Sequence, residues 1–223
     1  MVQKNIDIIP IRYISGTGGQ FLSNFITAAK NNNKHNIALS VHGNAHQNNL
    51  SDFIIPKNSA FGPCAQHDPL NIDAMLKLTG KEGSVPVYYP AMHLMNIELL
   101  LNTFDKVISI VYDMEDISDI ALIFYGKFYL DEPQSNNNIS FSHRYVTTKI
   151  TLKYSYRFFK EYESDNVLNV SWKELFHLDT NILVGKISAF TRIPEENFNI
   201  SNLLEWREAT SQCLDKVSST LNT

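Results

Sequence analysis

The chain has 223 residues, a hydrophobic share of 43% and a formal net charge of -4, which fit one domain, residues 1–223, with a core of ordinary size. The slightly acidic balance argues against a general nucleic-acid binder, because such proteins are usually basic. No apolar run approaches the ~20 residues of a membrane span, and the first residues lack a signal-peptide core. The two cysteines, Cys64 and Cys213, are too far apart for a CxxC pair, so we expect a reduced, cytoplasmic compartment.

The first predicted strand runs to Ser15 and leads directly into a glycine-rich turn and a helix. Apolar residues recur at helical spacing from Phe21 to Ala29. A strand, a glycine turn and a helix start form the geometry of a phosphate cradle, because glycine allows positive φ and backbone N–H groups then face an anion. We therefore expect an anion to be held by Ser15, Gly16, Thr17, Gly18, Gly19 and Gln20, with the two hydroxyls as extra donors.

Two stricter phosphate motifs do not fit this turn. A Walker A loop needs Lys-Ser/Thr after its last glycine, where this chain has Gln20 and Phe21. A dinucleotide fingerprint counted from Gly18 needs a third glycine at the position of Phe21. A tight strand-to-helix turn that binds nothing is the structural alternative.

Strand and helix patterns alternate along the rest of the chain. Further strands are predicted at 37–41, 85–89, 107–112 and 167–170, and helices at 70–78, 94–104, 117–128, about 143–162, 179–193 and 202–217. Such alternation predicts an α/β fold with a mainly parallel sheet covered on both faces, whose ligands lie beyond the carboxyl ends of the strands. That edge would hold the glycine loop, His93, Asp113 and Trp172.

Three segments, in this order, resemble the P-loop sulfotransferase family. The turn at 11–25 looks like the family's 5′-phosphosulfate loop. The strand and acidic turn at 106–116 are similar to its 3′-phosphate segment, and 167–175 with the helix ending at Phe190 resembles its strand–Tyr-Glu-Asp-Leu segment. The resemblance implies a three-layer α/β/α, P-loop architecture. It also implies transfer of a sulfuryl group from 3′-phosphoadenosine-5′-phosphosulfate (PAPS) to a hydroxyl or amine acceptor, with Asp116 and Trp172 near the nucleotide.

Several cationic positions of the family carry other residues here. The loop lysine falls on Ile14 and the 3′-phosphate arginine on Tyr112, whereas Asp116 matches the family. The family's proline and serine of the same segment fall on Met114 and Ile120. A buried phosphate without a cation is unfavourable. Basic side chains elsewhere are candidates for the missing charge, although surface positions are the simpler interpretation for each. They are Lys127, Arg144, Lys149 and, for the C-terminal clamp, Arg207, whereas Arg12 is expected to point away from the loop.

A general base is the other requirement of sulfuryl transfer. The resemblance makes His93, after the 85–89 strand, the first candidate and His67 the second; hydrogen bonding within a loop is the alternative for each. The grouping of His42, His46, His67 and Asp68 does not have the spacing of a metal site, so we predict no metal.

The remaining polar and aromatic residues each have two interpretations. Trp172 either stacks on an adenine or fills the core. The simplest interpretation of the acids at 113, 115 and 116 is that they cap a helix. The simplest interpretation of the aromatic residues near 154–159 is that they pack in the core and between helices. They are Tyr154, Tyr156, Phe158 and Phe159.

Two rival functions follow from the missing cations. One is a non-catalytic nucleotide- or anion-binding module of the same fold, and the other is a nucleotide-dependent kinase or hydrolase with a degenerate loop. The polar segments 43–58 and 131–142 would suit a small-molecule or carbohydrate acceptor, whereas the sequence leaves the oligomeric state open.

Overall fold

A computed structural model describes residues 9–14, 16–30, 32, 90–91, 96–131 and 141–221 of the chain. Several sequence predictions lie outside these residues. They are the strands at 37–41 and 85–89, the helix at 70–78, the segment 43–58, and the candidate residues Ser15, His42, His46, His67, Asp68 and His93.

The described strands form one parallel sheet, as the alternating pattern predicts. Its strands are β1 Ile11–Arg12, β2 Pro90–Ala91, β3 Val107–Val111 and β4 Val167–Ser171, in the order β2-β1-β3-β4. The three strands β1, β3 and β4 carry most of the pairing, and β2 adds a two-residue pair beside β1. β3 and β4 pair from Val107 opposite Val167 to Val111 opposite Ser171, so their carboxyl ends are level.

From residue 97 onward each of the five predicted helices is present, apart from differences at their ends, and a sixth helix, Trp172–His177, was not predicted. The described helices are α1 Gly19–Lys30, α2 Ile97–Thr103, α3 Ile117–Asp131, α4 Phe141–Ser155, α5 Trp172–His177, α6 Thr180–Thr191 and α7 Ile200–Leu221. The helix predicted over 143–162 ends early, because a 3₁₀ turn at Tyr156–Phe158 follows Ser155 and Phe159 is fully buried. The first strand is also shorter than predicted and ends at Arg12.

Alternate residues of β1 and of the two residues that follow it enter different parts of the core. Ile11 and Tyr13 belong to the largest apolar cluster, together with residues of α1, α6 and α7. Ile14 belongs to a second cluster, which is built mainly from α3, α4 and the turn around Phe159. Because successive side chains of a strand point to opposite faces, helices cover both faces of this sheet.

The strand order also positions a ligand site. From β1 the chain goes to β2 on one side, and it then crosses to β3 on the other side of β1. Open parallel sheets bind ligands beyond the carboxyl ends of the strands where the order reverses in this way. The described strands place that reversal between β1 and β3, directly below the glycine loop.

Candidate functional site

The glycine loop joins the end of β1 to α1 through two left-handed residues. Gly16 has φ +94° and Gly18 has φ +85°. Residues other than glycine adopt this backbone conformation only at a cost in free energy. Between them the Thr17 amide donates to the Ile14 carbonyl at 3.1 Å, and the Thr17 hydroxyl donates to the same oxygen at 2.6 Å. These two bonds close the turn and end the strand, and they use both donors of Thr17 within the protein.

Each loop glycine also lies where a side chain would collide with the rest of the fold. A Cβ on Gly16 would lie 2.8 Å from the Ile120 carbonyl oxygen in α3, and one on Gly18 would lie 2.7 Å from the Trp206 ring in α7. A Cβ on Gly19 would overlap the Tyr13 ring. Packing alone therefore requires glycine at these positions, whether or not the loop binds an anion.

The backbone of the loop still has the form that an anion site needs. Gly16 and Gly18 are partly exposed, whereas Thr17 is fully buried. α1 begins at Gly19 and runs for 12 residues, and its fourth residue, Leu22, donates to the Gly18 carbonyl. The first amides of any α-helix have no carbonyl partner within the helix, and they carry the positive end of its dipole. An anion at this loop would meet Gly19 and Gln20 first.

The two positions that carry cations in the sulfotransferase family are buried in apolar surroundings. Ile14 and Tyr112 are 4% and 3% exposed and belong to the same cluster. The Tyr112 hydroxyl donates to the Leu152 carbonyl at 2.8 Å, and burial raises the pKa of Tyr112 well above its usual value. A phenol in this setting stays neutral and cannot replace the charge of an arginine.

Arg12 lies on the helix-covered face of the sheet opposite to that of its neighbour Ile11, consistent with the prediction that it points away from the loop. Its Nη1 donates to the Ser109 hydroxyl at 3.0 Å, and its guanidinium carbon lies 4.3 Å from the centre of the Phe159 ring. Burial lowers the pKa of Arg12 to about 10, so it remains charged at neutral pH. It therefore acts as a buried cation that ties β1 to β3 and to the turn after α4.

The ends of β3 and β4 are linked by a charged cluster. Lys173, at the start of α5, forms ion pairs with Asp113, Glu115 and Asp116 in the turn before α3. The carboxylates at 113 and 115 are exposed, whereas Asp116 is buried and its Oδ2 accepts a bond from the Asp113 amide at 2.9 Å. The Asp116 side chain thus closes the turn before α3, and the negative charge of the three acids does not suit a phosphate.

Asp116, the one acid that matches the family pattern, has a perturbed ionisation. Burial raises the pKa of Asp116 above its ordinary value, and the charges of Asp113 and Asp119 act in the same direction. The amide bond from Asp113 and the charge of His177 act in the opposite direction. The carboxylate therefore lies in a setting that disfavours its own charge.

Trp172 lies at the end of β4 and is 4% exposed. Its ring packs at a tilt against Phe176, with the centroids 4.8 Å apart, and shares its cluster with Ile14 and Tyr112. Among the buried side chains that the structure describes, only its indole nitrogen has no hydrogen-bond partner. A buried N–H without an acceptor typically costs about 1–3 kcal/mol.

Two of the other proposed cations, Arg207 and Lys149, have contacts within the fold. Arg207 donates from Nε to the Leu175 carbonyl at 2.8 Å and from Nη2 to the Glu174 carbonyl at 3.3 Å, which caps the end of α5. Lys149 lies over the Tyr145 ring in α4, 5.1 Å from its centre. The side chains of Lys127 and Arg144 are outside the description.

The structure brings several predicted site residues to one edge and adds one that sequence reasoning missed. Gly16, Gly18, Asp116 and Trp172 all follow the carboxyl ends of the parallel strands. Trp206 was not predicted, although it packs against Gly18 and stacks on Phe21 with the ring centroids 4.4 Å apart. The helical spacing of Leu203, Trp206 and Thr210 indicates a buried face, but not what that face covers.

No family model, no curated protein and no solved structure matches this chain. No helix among the described residues has both the length and the apolarity needed to cross a bilayer. The site is therefore interpreted from its own geometry.

Proposed function

We propose that this chain is an anion-binding α/β protein of the P-loop sulfotransferase type, which holds a phosphate or sulfate group of a nucleotide at the β1–α1 loop. The observation that carries the proposal is the position of the loop. Two left-handed glycines and a 12-residue helix follow the strand that lies at the reversal of strand order.

The proposed activity is sulfuryl transfer from PAPS to a hydroxyl or amine acceptor. Carbohydrates are among the proposed acceptors. The loop fits one anionic group of this cofactor, at Gly16 to Gln20. The turn after β3 does not fit the 3′-phosphate, because Tyr112 is a buried neutral phenol and Asp113 and Glu115 are exposed carboxylates. The proposed bases are His93 and His67.

A second candidate is binding without transfer. It is favoured by Ile14 and Tyr112, which replace both expected cations and are packed in one apolar cluster. Arg207, the candidate for a third cation, is already bonded to the carbonyls at the end of α5. A module that keeps the loop and lacks these charges would bind a less charged ligand than PAPS, such as a nucleoside monophosphate.

Calorimetric titration tests the binding step with 3′,5′-adenosine bisphosphate, adenosine monophosphate and pyrophosphate. Gln20→Glu is the decisive variant, because a carboxylate in the first turn favours the helix and repels an anionic ligand. We expect saturable binding to the wild type, about ten-fold weaker binding to Gln20→Glu and tighter binding to Gln20→Lys. Thermal unfolding should show no loss of stability in Gln20→Glu.

The outcomes separate the candidates. Transfer is supported if the protein binds PAPS and releases 3′,5′-adenosine bisphosphate from it. This release should be lost in His93→Ala or His67→Ala, while binding persists. Binding without such release supports the non-catalytic module. The proposal fails if none of the three anions saturates the protein, if Gln20→Glu binds as tightly as the wild type, or if magnesium-dependent ATP turnover is found.

A further inference from the structure

The segment from 141 to 160 is basic, although the whole chain has a formal net charge of -4. It contains no aspartate or glutamate, and acidic residues begin again only at Glu161. Its cationic residues are Arg144, Lys149, Lys153, Arg157 and Lys160. This segment comprises α4 and the 3₁₀ turn that follows it.

An apolar stripe lies among these cations. Val146, Ile150 and Tyr154 are spaced four residues apart on α4 and are 52%, 49% and 73% exposed. Residues at this spacing share one face of a helix, and the three span about 12 Å at 1.5 Å per residue. Phe158, in the next turn, is also exposed. The interpretation of Tyr154 and Phe158 as core aromatics is therefore wrong, whereas Phe159 is indeed buried.

Within the part of the chain that the structure describes, the fold packs against the other side of this helix. Leu152 and Ser155 are buried, and α4 packs against α3. Beside the stripe, the Thr147 hydroxyl donates to the His143 carbonyl at 2.9 Å and the Thr151 hydroxyl donates to the Thr147 carbonyl at 3.0 Å. These donors are satisfied within the helix, so the exposed face can lose water without leaving them unpaired.

We propose that the exposed face of α4 docks on an anionic lipid membrane, with Val146, Ile150 and Tyr154 in the headgroup boundary and Lys149 and Lys153 on the lipid phosphates. Charge complementarity and the apolar stripe together carry this assignment, which is independent of the proposed function. Lysine stems extend along apolar surface while their ammonium groups reach the headgroups, and tyrosine favours the interface.

Two other partners fit this face less well. Protein interfaces are depleted in lysine, whereas two lysines, Lys149 and Lys153, lie along one side of this stripe. Nucleic-acid interfaces are more polar, whereas the middle of this stripe is the aliphatic side chain of Ile150. A single-stranded oligonucleotide is therefore included in the test as a competing ligand.

Co-sedimentation of the full chain with vesicles tests the proposal. The vesicles contain phosphatidylcholine alone or phosphatidylcholine with about a third phosphatidylserine. We expect binding to the anionic vesicles only, weakened by added salt. Ile150→Asp should lower the partition coefficient about ten-fold, and Lys149→Gln or Lys153→Gln about five-fold each.

The matched control is Leu204→Asp, which places the same charge on an exposed aliphatic position of α7 that is 51% exposed. It should bind anionic vesicles like the wild type, and thermal unfolding should confirm that all variants are folded. The proposal is overturned if the wild type does not bind, if neutral vesicles bind equally, or if Ile150→Asp and Leu204→Asp behave alike. Binding to the oligonucleotide that does not depend on Ile150, with no vesicle binding, also overturns it.

Discussion

At the end of β1 the chain turns through glycines packed under Trp206, whereas at the ends of β3 and β4 it turns through exposed charges. Trp206 is 1% exposed and leaves no room for a side chain at Gly18. The Lys173 side chain, by contrast, is 46% exposed, and two of its three ion-pair partners, Asp113 and Glu115, are exposed themselves. The glycine loop after β1 is thus held by close packing, whereas the turns after β3 and β4 are held by partly solvated ion pairs. These two parts are called the loop half and the charged half of the edge.

This difference has consequences for binding and for stability. The negative charge of the turn before α3 repels an anion, so the loop half is the only part of the described edge where a phosphate is expected. Close-packed positions tolerate little change in volume, while ion pairs in water contribute little. Substitutions in the loop half should therefore have larger effects than those in the charged half.

Trp206→Ala should have the largest effect. The ring stacks on Phe21 at 4.4 Å and lies 4.7 Å from Phe176, so its removal leaves a cavity under the loop. We expect a loss of about 3–5 kcal/mol in the free energy of unfolding, measured by urea denaturation. Leu204→Ala, on the exposed side of the same helix, is the control and should change stability by less than about 0.5 kcal/mol. Equal losses in the two variants would contradict the packing role of Trp206.

Gly18→Ala should cause the second-largest loss in the free energy of unfolding. The new methyl group would lie 2.7 Å from Trp206 in a residue with φ +85°, so strain and overpacking together should cost about 2–4 kcal/mol. The control is Gly185→Ala in α6, where the nearest atom to a new Cβ is 3.4 Å away. That change should stabilise by about 0.5–1 kcal/mol. If the two substitutions shift the denaturation midpoint in the same direction, the steric account of the loop is wrong.

Ser171→Ala tests the charged half through its helix cap. Ser171 accepts a bond from the Glu174 amide at 3.0 Å, and the Glu174 side chain accepts one from the Ser171 amide at 2.8 Å. Loss of this capping box should cost about 1 kcal/mol. Ser219→Ala, an exposed serine within α7, should cost less than about 0.5 kcal/mol. A loss as large as that of Trp206→Ala would remove the contrast between the two halves.

The smallest expected effect is a pH dependence at Asp116. Because the pKa of Asp116 is raised in the folded protein, folding is favoured by its protonation. The wild type should therefore gain stability, relative to Asp116→Asn, as the pH falls from the raised pKa towards the ordinary value of 3.8. The asparagine oxygen can still accept the bond from the Asp113 amide. Urea midpoints measured across this range would contradict the assignment if the two curves were parallel.

Part of this molecule could be predicted from its sequence because the pattern is local. The apolar run 107–111 forms β3, and the spacing of Ile117, Ile120 and Phe124 marks α3. The acids predicted as helix caps lie directly before α3, where negative charge suits the helix dipole, and Asp116 accepts from the Asp113 amide in the preceding turn. Helix ends were less accurate, because tertiary packing of Phe159 rather than the local pattern ends α4 early.

The roles of the site residues could not be predicted in the same way. Glycines in a turn have the same pattern whether they approach a ligand or a tryptophan 188 positions away in the chain, from Gly18 to Trp206. Likewise, Tyr154 and Phe159 are both aromatic residues of one basic segment, yet one is exposed and the other buried. Only contacts between distant parts of the chain distinguish these cases.

The sequence by itself determined the parallel α/β architecture, the glycine turn after β1 and the caps of its helices, since each depends on neighbours along the chain. The tertiary structure decided that Trp206 fills the space beside Gly18, that Arg12 is buried beside Phe159, and that one side of α4 stays exposed. The physical reason is that close packing and desolvation depend on which surfaces meet, and residues far apart in the chain determine those surfaces.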